Sequence, residues 1–118
     1  MADMVASVAA STGIEEMKAR KAVGMMLAFL KKEGPPGAVQ KLFAAVPNAD
    51  ALANEAGSPG IFGMGGLMAL GGQLMGLGLS MGQVQSLSRA VFAEGKNLAG
   101  EETMGEIIAG VPGLSQFV

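Results

Sequence analysis

The sequence predicts an all-α domain, a single compact bundle of five or six helices, and three observations lead there. Apolar residues recur at spacings of three and four, and no segment alternates with period two, so strands are not expected. Two parts of the chain end in the same phrase: Leu42-Phe43-Ala44-Ala45-Val46-Pro47-Asn48 is echoed by Ile107-Ile108-Ala109-Gly110-Val111-Pro112-Gly113 at a spacing of 65 residues (Pro47 to Pro112). Between Glu55 and Arg89 no residue is charged, and the Gly-, Leu- and Met-rich part of that stretch forms a central helix in this reading.

The echo continues. Leu52 and Phe117 keep the spacing of 65, while Met25, Ala28, Phe29 and Leu30 lie over Leu87, Ala90, Val91 and Phe92 at a spacing of 62, predicting three extra residues in the second copy. The repeating unit is a long apolar helix, a glycine-containing bend, a short amphipathic helix and a Val-Pro stop. The chain, residues 1–118, is therefore expected to be one domain with similar helix pairs within 14–56 and 80–118, joined by 57–79 and wrapped around the helix from Leu67 to Leu79.

Taken in order, Ala2 to Ala10 is Ala-rich, with Met4, Val5 and Val8 on one side. It is expected to be helical and stabilised by docking, with Ser11-Thr12-Gly13 as its break. Ile14 to Lys32 is a helix opened by Glu15-Glu16 and closed by Lys31-Lys32, which complement its dipole. Its uncharged part, Ala22 to Leu30, is expected to be surrounded on most sides. Gly34-Pro35-Pro36-Gly37 is a turn that places Pro36 at the first position of the next helix. Val39, Leu42, Phe43 and Val46 make one stripe, Pro47 ends it, and Asn48 caps a short helix through Leu52 to Ala56.

In the middle, nine of the nineteen glycines fall between Gly60 and Gly82. Each costs a helix about 1 kcal/mol relative to Ala, so close backbone contact or a bend is being favoured over propensity. Leu67, Leu70, Leu74 and Leu77 form one helical face; Gly72 and Gly76 share another, where a neighbouring helix is expected to approach, with Met68 and Met75 beside it. Ser80-Met81-Gly82-Gln83 fits a capping box. Val84, Leu87, Val91 and Leu98 give the buried stripe of the next helix. Gly100 separates it from Glu101-Glu102, which open the last helix with Met104, Ile107, Ile108 and Val111 facing inward.

Composition narrows function by exclusion. The chain has no His, Cys, Trp or Tyr, and its net charge is −2 with a pI near 5.0. Imidazole and thiolate chemistry and the metal sites built on them are absent, and no bulk field attracts nucleic acid. The clustered cations Lys18, Arg20, Lys21, Lys31 and Lys32 are interspersed with Glu15, Glu16 and Glu33, as on a solvated helix face. No serine has a histidine partner, and the Glu15-Glu16 and Glu101-Glu102 pairs belong to helix starts. Gly63-Met64-Gly65-Gly66 lacks the Lys and Ser/Thr of a phosphate-binding loop. No catalytic residue, cofactor or metal is expected. The N-terminus has no basic region of a secretory signal, and a cytoplasmic location is expected.

Ten methionines remain. Met17, Met25, Met26 and Met104 are expected on buried faces, as gap-fillers in a core short of aromatics. Met64, Met68, Met75 and Met81, with Gly72 and Gly76, are the candidate contacts to a partner protein or an apolar ligand.

The combination Thr12-Gly13-Ile14, Ala19-Arg20-Lys21-Ala22-Val23-Gly24 before Leu27 and Phe29-Leu30, Val46-Pro47-Asn48-Ala49-Asp50, and Leu77-Gly78-Leu79-Ser80 leading into an amphipathic helix resembles the VcgC/VcgE-like bacterial family. The resemblance runs from Thr12 onward and implies a small all-helical bacterial domain. It assigns no functional residue. The chain departs from the family in its density of Gly and Met around Ile61 to Leu70. The function expected is a non-catalytic module for protein interaction, with itself or another protein, or for self-assembly. The alternatives are membrane association through the uncharged 56–88 segment and carriage of a small apolar ligand in a Met-lined cavity.

Overall fold

A computed structural model describes residues 4–46, 48–55 and 67–111. Among them there are seven helices and no strand: α1 (Met4–Thr12), α2 (Glu16–Glu33), α3 (Pro36–Ala45), α4 (Ala49–Glu55), α5 (Leu67–Gly76), α6 (Met81–Ala99) and α7 (Glu101–Gly110). The all-α class stands, with more helices than the five or six expected.

Most helices begin and end where local chemistry requires. Pro36 sits at the start of α3, where its missing N–H costs nothing. Ser80 caps α6 through a closed capping box: its hydroxyl accepts from the Gln83 amide at 3.2 Å, and the Gln83 side chain accepts from the Ser80 amide at 2.9 Å. Thr12 ends α1 by donating its hydroxyl to the Val8 carbonyl (2.7 Å) and accepting from the Ile14 amide (3.3 Å). Asn48 takes a left-handed φ of 63° at the entry to α4, and its carbonyl accepts from the Leu52 amide.

The duplication is deeper and more regular than the sequence echo. At a single spacing of 65, α3 (36–45) maps residue for residue onto α7 (101–110), and α2 and α6 start together at Glu16 and Met81. The buried positions Ala19, Ala22, Val23, Met26, Leu27 and Leu30 of α2 map onto Val84, Leu87, Ser88, Val91, Phe92 and Gly95 of α6, every one buried. Ala38, Val39, Leu42 and Val46 likewise map onto Thr103, Met104, Ile107 and Val111. No three-residue insertion separates the helical runs. The spacing of 62 inferred from Met25, Ala28, Phe29 and Leu30 aligns similar letters, whereas the inward stripes of α2 and α6 and of α3 and α7 agree at 65. The repeat also reaches back to the first helix of each unit. Gly13 (φ 72°) and Gly78 (φ 99°) are equivalent turn residues, each followed by a buried apolar residue, Ile14 or Leu79.

Packing between the copies is largely reciprocal. α1 lies against α6 as well as α2, α5 lies against α2 as well as α6, and α3 lies beside α7, the pattern an approximate two-fold axis produces, although α3 also lies against α6 with no comparable packing of α7 on α2 among the described residues. α4 lies along α2 and covers it further, so Gly24 and Ala28 are buried where their equivalents Arg89 and Ala93 are exposed. Ala22 to Leu30 is thus almost wholly enclosed, and α2 is the central helix of the fold. α5 does not hold that place. Leu74 is buried, but Gly72, Met75 and Gly76 are exposed, because α5 packs on α2 and α6 from the side.

Two further expectations change. Met17 is exposed, since it lies two residues, about 200° of helix, from the inward Ala19. Leu98 is exposed at the end of α6, where Ala99 takes the partly buried position against the core.

Candidate functional site

Three of the candidate contacts lie around the junction of α5 and α6. Met75, Gly76 and Met81 flank the turn at Gly78, and Lys18 of α2 reaches that turn: its Nζ is 3.3 Å from where a Cβ on Gly78 would sit. The ammonium therefore stands at the C-terminal end of α5, where helix carbonyls gather negative potential. Met17 is the residue before Lys18. Met17, Met81 and Met75 are 68%, 52% and 43% exposed, three of the four large apolar residues that stand in solvent among those described. Met64 lies outside the described residues; Met68 is on α5, with its side chain outside them.

The helix contact expected at Gly72 and Gly76 is not found among the described residues. A Cβ on either residue would meet nothing within 4 Å among the described residues. Among the described residues their lack of side chains leaves an open strip beside Met75 rather than a packed seam.

A second feature has no signature in the sequence. Lys31, Val39, Gln40, Phe43, Ala44 and Asp50 line an open cleft of about 330 Å³ between α2, α3 and α4. Lys31 Nζ lies 5.9 Å from the centre of the Phe43 ring and 3.8 Å from Asp50 Oδ1. The ion pair is exposed and adds little to stability. Its cation-over-ring arrangement gives the cleft an apolar floor and a charged rim. The three residues come from three helices, and only the packing of those helices brings them together; no local spacing signals it. The cleft contains no methionine and is not enclosed, so it is not the Met-lined cavity expected for a carrier.

The buried polar residues have structural partners. Ser88 Oγ donates to the Val84 carbonyl at 3.0 Å, and no buried side-chain nitrogen or oxygen among the described residues lacks a hydrogen bond. Among the described residues, no cluster of three or more acidic side chains forms a cation cage. No helix among them is long and apolar enough to cross a membrane. α5 has ten residues, about 15 Å of helix against a hydrocarbon core of roughly 30 Å. Comparison with protein-family models, curated proteins and solved structures finds no match.

Proposed function

We propose that the chain is a non-catalytic protein-interaction or self-assembly module of the bacterial cytoplasm. The observation that carries this reading is the exposure of Met75 and Met81 on either side of the Gly78 turn, with the bare Gly72 and Gly76 on α5 and with Met17 exposed next to the Lys18 that reaches the turn. Methionine surfaces adapt to varied apolar partners, and a strip without side chains lets a partner helix or strand approach the backbone. The likeness to the VcgC/VcgE-like family agrees with a helical scaffold and adds no activity.

A photo-crosslinking residue placed at position 75 in the native host tests the reading, with Ala93, exposed on α6, as the control position. Discrete adducts at 75, lost in a Met17→Lys, Met81→Lys background and absent at 93, are expected. Equal labelling at both positions overturns the reading. Vesicle co-sedimentation of the purified chain separates out membrane association, and binding there replaces the module with a lipid-surface protein.

A further inference from the structure

α3 and α7 lie side by side and run antiparallel, with Gly110 at the end of α7 against the ring of Pro35 at the start of α3. They are equivalent under the 65-residue repeat, so the approximate two-fold relating them stands normal to their common plane. Equivalent residues therefore show on the same side. The inward sets match, as described, and so do the outward ones: Gly37, Gln40, Lys41 and Ala44 lie on the outer side, and so do their equivalents Glu102, Gly105, Glu106 and Ala109. At the centre of this face the equivalent positions 41 and 106 hold opposite charges, Lys and Glu. Neither forms an ion pair with a described residue.

We propose that this face docks a second copy of the chain, with Lys41 of each copy meeting Glu106 of the other. This rests on the assembly reading above, names the partner, and places it on a different face from the methionines. The geometry selects the arrangement. The internal two-fold carries Lys41 onto the position of Glu106. A second copy turned about an axis perpendicular both to that two-fold and to the Lys41–Glu106 line sets its Glu106 over Lys41, and its Lys41 over Glu106. Rotation about the Lys41–Glu106 line itself would set Lys over Lys and Glu over Glu, which repel, so the charges choose one register. Ala44, Gly105 and Ala109 present little bulk between the paired charges, so the helices can close on one another.

Sedimentation of the full chain over about 10–500 μM, in low and high salt, tests this with three variants: Lys41→Glu, Glu106→Lys and the double exchange. All three changes are on the surface, and circular dichroism checks that each variant melts as the wild type does. A wild-type dimer is expected, weakened by salt, weakened at least about tenfold by either single reversal, and restored to within about threefold by the double exchange. A dimer indifferent to the single reversals, or one the double exchange fails to restore, overturns this face while leaving self-assembly standing. A chain monomeric throughout overturns both this face and self-assembly, and leaves only a different protein as partner, which the crosslinking at position 75 reads separately.

Discussion

Met104 fills the space that a side chain at Gly95 would need: a Cβ there would lie 2.7 Å from Met104 Cε and 2.8 Å from its Sδ. The equivalent positions in the first copy, Leu30 and Val39, are both buried and divide the volume the other way. Large on the long helix with smaller on the short one has become none on the long helix with large on the short one. Cores tolerate such exchanges when total volume is kept.

This relationship predicts a strongly non-additive pair. Gly95→Leu alone overpacks against Met104 and should cost about 1–3 kcal/mol or more. Met104→Val alone leaves a cavity and should cost about 1–2 kcal/mol. The double variant reproduces the first copy's solution and should be more stable than the sum of the single changes by at least about 1 kcal/mol. Urea denaturation of the four proteins gives the coupling directly; simple additivity would show that the two positions do not share their volume.

The capping box at α6 gives a second prediction. Ser80→Ala removes the acceptor of the Gln83 amide and should cost about 1 kcal/mol. Ser80→Asp should recover most of that, because a carboxylate accepts the same hydrogen bond and complements the helix dipole. Chemical denaturation measures both, and equal losses for Ala and Asp would show that the cap does not hold α6.

Helix boundaries are the most legible part of this chain, because Pro36, Ser80-Gln83 and the Val46 and Val111 stops act through local backbone chemistry. The repeat is legible only where letters agree. At Leu30 and Gly95, or Val23 and Ser88, equivalence lies in burial and not in residue type, so matching letters slides the long helices by three residues. Met75 and Met81 are exposed, while Met17 defies its expected burial because a methionine in a mixed helix carries no mark of its face until the register is known. The Lys31, Phe43 and Asp50 cleft depends on how three helices pack, which no short spacing encodes.

Two helical glycines with opposite surroundings give a third prediction, one of sign. A Cβ on Gly110 would lie 2.7 Å from Pro35 Cδ and 3.0 Å from Cγ, atoms of a rigid ring. Gly110→Ala should therefore destabilise by about 1–3 kcal/mol despite its better helix propensity. Gly72 has nothing within 4 Å of the same point among the described residues, so Gly72→Ala gains propensity unopposed and should stabilise by about 0.5–1 kcal/mol. Thermal melts of the two variants should shift in opposite directions. A loss at Gly72 would mean that the strip is in fact packed.

The equivalent turn glycines give the last prediction, because their backbones differ in one measurable respect. Gly13 has φ 72°, and a Cβ on it would meet nothing within 4 Å among the described residues, so the cost of Gly13→Ala is purely conformational, about 1–2 kcal/mol. Asn visits the left-handed region more readily than Ala, and φ near 70° lies at the edge of that region, so Gly13→Asn should recover a good part of the loss. Gly78 has φ 99°, well beyond the left-handed basin, and a Cβ there also meets Lys18 Nζ at 3.3 Å. The lysine end is flexible and can move, but the backbone angle remains unsuitable for any side chain. Gly78→Ala should thus cost at least as much as Gly13→Ala, and Gly78→Asn should recover little. Four denaturation curves compare the recoveries. Equal rescue by Asn at both turns would show that position 78 relaxes into the left-handed basin once a side chain is present, and that the two copies share one turn geometry.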